Sequence, residues 1–298
     1  PVELFLAKIV NREWSTMGAI HLERALITPT TDGRVGLIPF VTLGFPDVQT
    51  SLDLILEFQR VGVDAVEIGV PFTDPLADGT TIQRASAHAL DQGVTLRTCI
   101  EGVAELRKRG LAIPVVLMGY YNPILALGLE RVTTEAASAG VDGFIVADLP
   151  NEESGPLRAL CADSELALVP LLAPTSTEER IREASELAQG FVYCVSLTGV
   201  TGARVNVSDQ VVGLVESVRK NTKLPVAIGF GVSSREHVEA VGKYADAAII
   251  GSALLEAIAK APPGQESVQA GGYLKKLIAV SYTHLRAHEP LRYLVCRL

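Results

Sequence analysis

The chain has 298 residues, 48% hydrophobic, 20% charged and 5% aromatic, and 26 Lys and Arg against 34 Asp and Glu set its net charge at −8. That apolar content excludes a disordered chain, which lacks the surface to offset its ordering entropy. The acidic balance argues against a nucleic-acid binder, which needs clustered positive charge. The length suits one large domain or two ordinary ones. Cys99, Cys161, Cys194 and Cys296 make no C-x-x-C and no short spacing with His, and read as free thiols of a reducing cytoplasm. The uncharged run 110–129 is long enough to span a membrane, but Pro114, Gly119, Asn122, Pro123 and Gly128 break it; it reads as a buried strand, a loop and the start of a helix. Glu3, Lys8, Arg12 and Glu13 interrupt any apolar core of a secretory leader. The expectation is a cytoplasmic chain that meets neither membrane nor nucleic acid.

The chain opens on Pro1, and Met17 is the first possible initiator, so 1–16 reads as an extension foreign to the fold. From Met17 the sequence runs through Leu22, Ala25 and Leu26 to the turn Thr31-Asp32-Gly33-Arg34, a pattern for a short N-terminal helix. Eight short apolar runs follow: 36–42, 64–69, 114–118, 143–147, 166–171, 191–195, 225–229 and 247–250. Continuous apolar runs, rather than strict alternations, suit parallel strands covered on both faces. Between them, Leu96, Cys99, Ile100 and Val103 keep a helical period, and Ser176-x-x-Glu179 and Ser233-x-x-Glu236 read as capping boxes opening two helices. Residues 281–298 sustain no period and hold two of the five histidines; they read as a non-native or disordered extension, leaving 17–280 as the domain.

An entry turn recurs before three of the strands: Gly62-Val63-Asp64, Gly140-Val141-Asp142 and Tyr244-Ala245-Asp246. Eight β-α units with a recurring entry turn predict an α/β fold of the (β/α)8 TIM-barrel class, with extra short helices in the βα loops. The alternative, a doubly wound open sheet, calls for a Gly-rich fingerprint after the first strand, which Thr42-Leu43-Gly44-Phe45-Pro46 lacks. In a barrel, chemistry belongs at the C-terminal ends of the strands.

Three glycine-bearing segments fall at those ends: Thr198 to Ala203 after the sixth strand, Gly229-Phe230-Gly231-Val232-Ser233 after the seventh, and Gly251-Ser252-Ala253 opening a helix after the eighth. Exposed N–H groups at such places attract phosphate, although glycine in a βα turn is also simply a turn residue. Ser252 adds a hydroxyl there, or caps the last helix.

The second strand is unusual. Glu67 lies between Val66 and Ile68, so alternation turns it into the barrel, where no candidate strand offers a Lys or Arg to pair with it. Burial pushes such a carboxyl toward neutrality, which suits a group that both donates and accepts a proton. A second carboxylate, Asp78, follows in the loop Asp74-Pro75-Leu76-Ala77-Asp78-Gly79, where it either caps the next helix or reaches over the barrel mouth.

Residues 66–79, Val-Glu-Ile-Gly-Val-Pro-Phe-Thr-Asp-Pro-Leu-Ala-Asp-Gly, resemble the signature of the tryptophan synthase α subunit family. The resemblance extends to Pro39-Phe40-Val41-Thr42-Leu43-Gly44, Met118-Gly119-Tyr120-Tyr121-Asn122-Pro123, Gly199-Val200-Thr201-Gly202 and Gly229-Phe230-Gly231-Val232-Ser233, and covers roughly 17–280. It implies a barrel that cleaves indole-3-glycerol phosphate to indole and glyceraldehyde 3-phosphate by a retro-aldol reaction. By the same matching Glu67 is the general acid/base, Asp78 accepts the indole N–H, and Tyr193 positions Glu67 or, alternatively, packs the core. Gly202, Gly231, Gly251 and Ser252 match a phosphate cradle with Thr201 and Phe230 beside it, and Phe40 a wall against the indole. The resemblance further implies no metal or organic cofactor in this chain, and a pyridoxal-phosphate β subunit as partner in an α2β2 heterotetramer, contacted through the loops around 71–79 and 120–123. Thr80 stands where the family often has Pro, and Leu197 where some members carry Arg. Two other readings remain, a stand-alone indole-releasing lyase and a non-catalytic activator of a β subunit; retention of Glu67 and Asp78 argues against the second.

Overall fold

The computed structural model describes residues 18–31, 33–195, 207–229 and 231–278. The expected apolar runs are parallel strands: β1 (Gly36–Thr42), β2 (Val66–Gly69), β3 (Val115–Gly119), β4 (Gly143–Val146), β5 (Ala167–Leu168), β6 (Leu171–Leu172), β7 (Val192–Val195), β8 (Val226–Gly229) and β9 (Ala247–Ile250). They form one sheet in the order β5-β4-β3-β2-β1-β9-β8-β7-β6.

The sheet has nine segments where the sequence predicts eight because the fifth run, 166–171, is broken at Val169-Pro170. Proline has no N–H to donate to a ladder. The first half pairs with β4 and the second with β7. The break bridges them: the Val169 N–H reaches the Phe144 carbonyl at 2.9 Å, and the Pro170 carbonyl accepts the Tyr193 N–H at 3.1 Å. The two edges of the sheet are thus consecutive in the chain, and the sheet closes into the expected (β/α)8 barrel.

The interior is a buried cluster that includes Ile38, Ala65, Val116, Ile145, Val169, Tyr193, Ala227 and Ile249, all on the inward face of their strands. Leu22 and Leu26 of α1 (Gly18–Thr31) belong to it as well and plug the end where the strands begin. Gly18 is needed there, because a Cβ would lie 2.6 Å from the Glu165 carbonyl oxygen. The outward faces, Val66 and Ile68 among them, pack in a larger cluster under the surrounding helices. These are α2 (Val48–Val61), α3 (Thr80–Asp91), α4 (Leu96–Lys108), α5 (Tyr121–Leu127), α6 (Leu129–Ala139), α7 (Gly155–Asp163), α8 (Glu178–Leu187), α9 (Asp209–Asn221), α10 (Arg235–Gly242), α11 (Ser252–Ala259) and α12 (Glu266–Ile278). The predicted period in α4 is borne out: Leu96, Cys99, Ile100 and Val103 are all buried. The run 110–129 is divided between β3 and α5, and among the described residues no helix is long and apolar enough to cross a membrane.

At both predicted capping boxes the N-cap is instead the next residue, bonded from one side only. Thr177, not Ser176, caps α8 by accepting the Arg180 N–H, while the Ser176 hydroxyl takes the Ala173 N–H at 3.1 Å. Ser234, not Ser233, caps α10 by accepting the His237 N–H, and the Ser233 N–H is engaged by His237 Nδ1. In each pair of neighbouring hydroxyls the earlier one is engaged elsewhere, Ser176 in a local turn and Ser233 with the His237 ring. A capping box absent from the sequence reading, Thr95 with Thr98, opens α4.

The recurring entry turns tie the strands together at their N-terminal ends. Asp64, just before β2, accepts the Leu37 N–H of β1 at 2.9 Å and two bonds from Arg34 at 2.8 and 2.6 Å. Asp142, before β4, accepts the Val115 N–H of β3 at 2.8 Å, Arg107 at 2.7 Å and the His21 ring at 2.8 Å. Asp246, before β9, accepts the Val226 N–H of β8 at 2.9 Å and Arg219 at 2.5 Å. All three carboxylates are buried. A buried charge is tolerable only with such partners, and removing one partner strands the other. Asp142→Ala, which leaves the buried Arg107 guanidinium without its counter-charge, is therefore expected to cost about 3–5 kcal/mol in urea unfolding. A loss below about 1 kcal/mol would show that this tether is dispensable.

Candidate active site

Glu67 is held by the centre of β2, between Phe40 of β1, its cross-strand partner, and Val116 of β3. It shares the inward face with Ala65, as alternation predicts, and is 1% exposed. Among the described residues its Oε2 has no hydrogen-bond partner. Burial, and then the nearby charge of Asp78, push its carboxyl up to about 8.

Asp78 reaches the barrel mouth because the loop between β2 and α3 folds back over it. Gly79 occupies the cap position of α3 with no side-chain bond, so the reading of Asp78 as helix cap is overturned. The Asp78 carboxylate instead accepts a hydrogen bond from the Tyr120 hydroxyl. That same hydroxyl accepts the Ala77 N–H at 3.0 Å, and the Tyr120 ring stacks on Phe72 with centroids 5.0 Å apart. The base of the loop is fixed by Ser86 of α3, whose hydroxyl accepts the Phe72 N–H at 2.8 Å and donates to the Phe72 carbonyl at 3.0 Å. Burial raises the Asp78 carboxyl to about 6, with the Tyr120 bond pulling it the other way.

Tyr193 points inward from β7, and burial, with the charges of Glu67 and Asp78, holds its hydroxyl well above the usual phenol range. Two glycines make room for the aromatic groups: a Cβ on Gly229 would collide with the Tyr193 hydroxyl, and one on Gly69 with the Phe40 ring. The structure thus brings Phe40, Glu67, Asp78 and Tyr193 to one end of the barrel. Gly251 also lies there, its Cβ position 3.6 Å from the Phe40 side chain, and it precedes Ser252, the first residue of α11. Gly251, not Ser252, occupies the cap position of α11, so the reading of Ser252 as a cap is not met. Gly231 adopts a φ of 51°, open to glycine at little cost. Thr201, Gly202 and Phe230, with Leu197, lie outside the described residues.

A narrow cleft sits at this end, walled by Phe40, Thr42, Val70, Asp78, Met118 and Tyr120 among others. The sequence reading quotes Tyr120 only within a partner-facing loop and assigns Thr42 and Ser86 nothing. Ser86 carries a legible signal, a hydroxyl beside Ala85 and Ala89 on the buried face of a helix. Tyr120 carries none, because its partners are more than forty positions away in the chain. Two carboxyl groups displaced toward neutrality, Asp78 near 6 in the cleft wall and Glu67 near 8 buried beside the wall residue Phe40, suit proton exchange close to physiological pH.

A closed parallel barrel with buried carboxyl groups at the C-terminal ends of its strands belongs to the α/β-barrel enzymes. A family profile described as tryptophan synthase alpha chain matches residues 28–279. The tryptophan synthase alpha chains of Chloroflexus aurantiacus and Roseiflexus sp. (strain RS-1) are 46% and 48% identical over 247 and 245 residues, covering 83% and 82% of this chain and 93% and 94% of theirs. A solved structure of the tryptophan synthase α2β2 complex from Pyrococcus furiosus superimposes with a TM-score of 0.77 at 37% identity, covering 84% of this chain and 99% of that one. The chain belongs to the tryptophan synthase alpha chain family, and is a lyase of tryptophan biosynthesis.

The buried carboxyl has a consequence for stability. Glu67 titrates near 8 when folded against an ordinary value of 4.5, so between those pH values the folded chain keeps a proton that the unfolded chain has released. Raising the pH through that window costs stability. Glu67→Gln cannot charge, and is expected to gain on the order of 3 kcal/mol relative to the parent between pH 5 and pH 8. Urea midpoints of both proteins at the two pH values measure this; a gap independent of pH would place the Glu67 carboxyl at its ordinary value.

Proposed function

We propose that this chain cleaves indole-3-glycerol phosphate to indole and glyceraldehyde 3-phosphate with Glu67 as general acid and base, Asp78 as acceptor of the indole N–H, and Tyr193 as the group that positions Glu67. The single observation that carries this reading is the pairing of a carboxyl titrating near 8 with one near 6 at the mouth of the barrel.

The bond between the ring and the side chain breaks only once ring carbon 3 carries a proton. Glu67, protonated at neutral pH, supplies it. The ring nitrogen then becomes electron-poor, and an ionised Asp78 accepting its N–H stabilises that charge. The electrons of the breaking bond return to the ring as the side-chain hydroxyl becomes an aldehyde, and Glu67, now a carboxylate, takes the hydroxyl proton. One residue thereby closes the proton cycle. Phe40 provides an apolar wall for the indole. Gly231, Gly251 and Ser252, with Thr201, Gly202 and Phe230, form the proposed phosphate cradle; local N–H groups at the start of α11 favour an anion even in a chain of net charge −8. The cycle needs no metal or organic cofactor from this chain.

A β subunit carrying pyridoxal phosphate is the proposed partner, in an α2β2 assembly like that described for Pyrococcus furiosus. Leu76, 93% exposed in the loop that carries Asp78, presents an apolar side chain within the first segment assigned to that contact, and Leu125 in α5 presents another two residues beyond the second. Indole release from indole-3-glycerol phosphate, with and without a β subunit, tests the whole reading. Glu67→Gln should lower cleavage at least roughly a hundredfold, and Asp78→Asn should damage turnover while leaving phosphate binding largely intact. Turnover by purified Glu67→Gln near that of the parent would remove Glu67 from the mechanism. Activity that does not rise with a β subunit would favour the stand-alone lyase.

The two carboxyl groups also set the pH profile. Cleavage needs Asp78 ionised and Glu67 protonated, so kcat/KM should fall below about pH 6 and above about pH 8, the pair titrating together. A rate still rising beyond pH 9 would contradict the protonated starting state of Glu67.

A further inference from the structure

Thr42 ends β1 at the cleft. It shares the inward face with Ile38 and Phe40, is 1% exposed, and helps wall the cleft. Its cross-strand partner is Gly69, the next inward position of β2 after Glu67. Among the described residues the Thr42 Oγ1 has no hydrogen-bond partner, and the same is true of Glu67 Oε2. The other hydroxyls of the cleft wall are engaged, Ser86 in both directions with the Phe72 backbone and Tyr120 with the Ala77 N–H and the Asp78 carboxylate. Two further unpartnered atoms, on Ser185 and Gln189, lie at the end of α8 and not at the cleft.

Buried polar atoms are nearly always paired, and one left unpaired costs about 1–3 kcal/mol. Valine has the shape of threonine and would fill this place at no such cost. A hydroxyl here is satisfied only by a group that enters the cleft, and one inward position before Gly69 on the neighbouring strand stands Glu67, the proposed proton-transfer group.

We propose that Thr42 is a further catalytic residue whose hydroxyl donates a hydrogen bond to the substrate oxygen that becomes the product aldehyde. This rests on the cleavage reading above. In that step the carbon–carbon bond pair moves to the protonated ring, the O–H pair of the side-chain hydroxyl forms the second carbon–oxygen bond, and the proton passes to the Glu67 carboxylate. Negative charge develops on that oxygen as its proton leaves, and a donor already fixed beside it stabilises the transition state more than the bound substrate. Indole itself has no such oxygen, so its binding gains nothing from Thr42.

The test compares Thr42→Val, which keeps shape and loses the hydroxyl, with Thr42→Ser, which keeps the hydroxyl and loses a methyl group. Thr42→Val is expected to lower kcat about tenfold, to leave the dissociation constant of indole within about twofold, and to unfold at the same or a higher urea concentration. Thr42→Ser should recover most of the lost turnover. The reverse ranking, an active Thr42→Val and an impaired Thr42→Ser, makes Thr42 a packing residue and overturns the inference. A Thr42→Val enzyme that matches an active parent overturns this inference alone. A parent that releases no indole overturns the cleavage reading and this inference with it.

Discussion

A carboxyl group sealed inside a barrel is the constraint around which the rest of this structure is arranged. Glu67 sits on the inward face of β2 with neighbours that are apolar or aromatic, and one of its oxygens is without a partner among the described residues. Its burial is unfavourable to folding, and increasingly so as the pH rises. The opposite end of the barrel offsets that cost. There Asp64, Asp142 and Asp246 are each satisfied by a backbone N–H of the preceding strand and by an arginine, and α1 closes the floor with Leu22 and Leu26. Satisfied charge gathers where the strands begin and frustrated charge where they end. This division lets one end carry stability and leaves the other free for chemistry.

The loop over the mouth is held by the same economy of partners. A single hydroxyl, that of Tyr120, receives the Ala77 N–H and donates to Asp78, while its ring lies on Phe72. The loop backbone and the carboxylate it carries are therefore coupled through one side chain at the end of β3. Ser86 anchors the other side of the loop to α3. Between these two fastenings Leu76 stands clear in solvent. The segment is fixed at its ends and presents an apolar side chain at its tip.

The strands were legible because short apolar runs bounded by turn residues have few alternatives in a chain of this length, and β1 and β9 begin and end where those runs do. The break at Pro170 was open to a reader who asked where its missing N–H would fall in a ladder. Helix starts were less legible: where two hydroxyls adjoin, as at Ser176 and Thr177, the sequence does not say which one a local turn will consume. Glu67 announced itself as the one carboxylate inside an apolar strand. The resemblance, more than any pattern, pointed to Asp78, whose placement depends on how a loop folds back. Tyr120 and the aspartate tethers needed three dimensions, since their partners come from distant parts of the chain; the recurrence of the aspartates was visible, their arginines were not.

The way the barrel closes bears on how it moves. In hydrogen-bond order the sheet is a ribbon with β1 at its middle and β5 and β6 at its two ends, fastened where Pro170 interrupts the ladder. Each of those end segments is two residues long, so the fastening is the thinnest part of the wall. Breathing of the barrel will concentrate there, on the side away from β1. The pair formed by Phe40 and Glu67 lies in the best-laddered stretch of the ribbon, whereas Tyr193 rides on β7, the strand beside the seam. The phenol proposed to position the carboxyl is thus carried by the strand next to the seam, while the carboxyl itself is carried by the strand next to the middle of the ribbon.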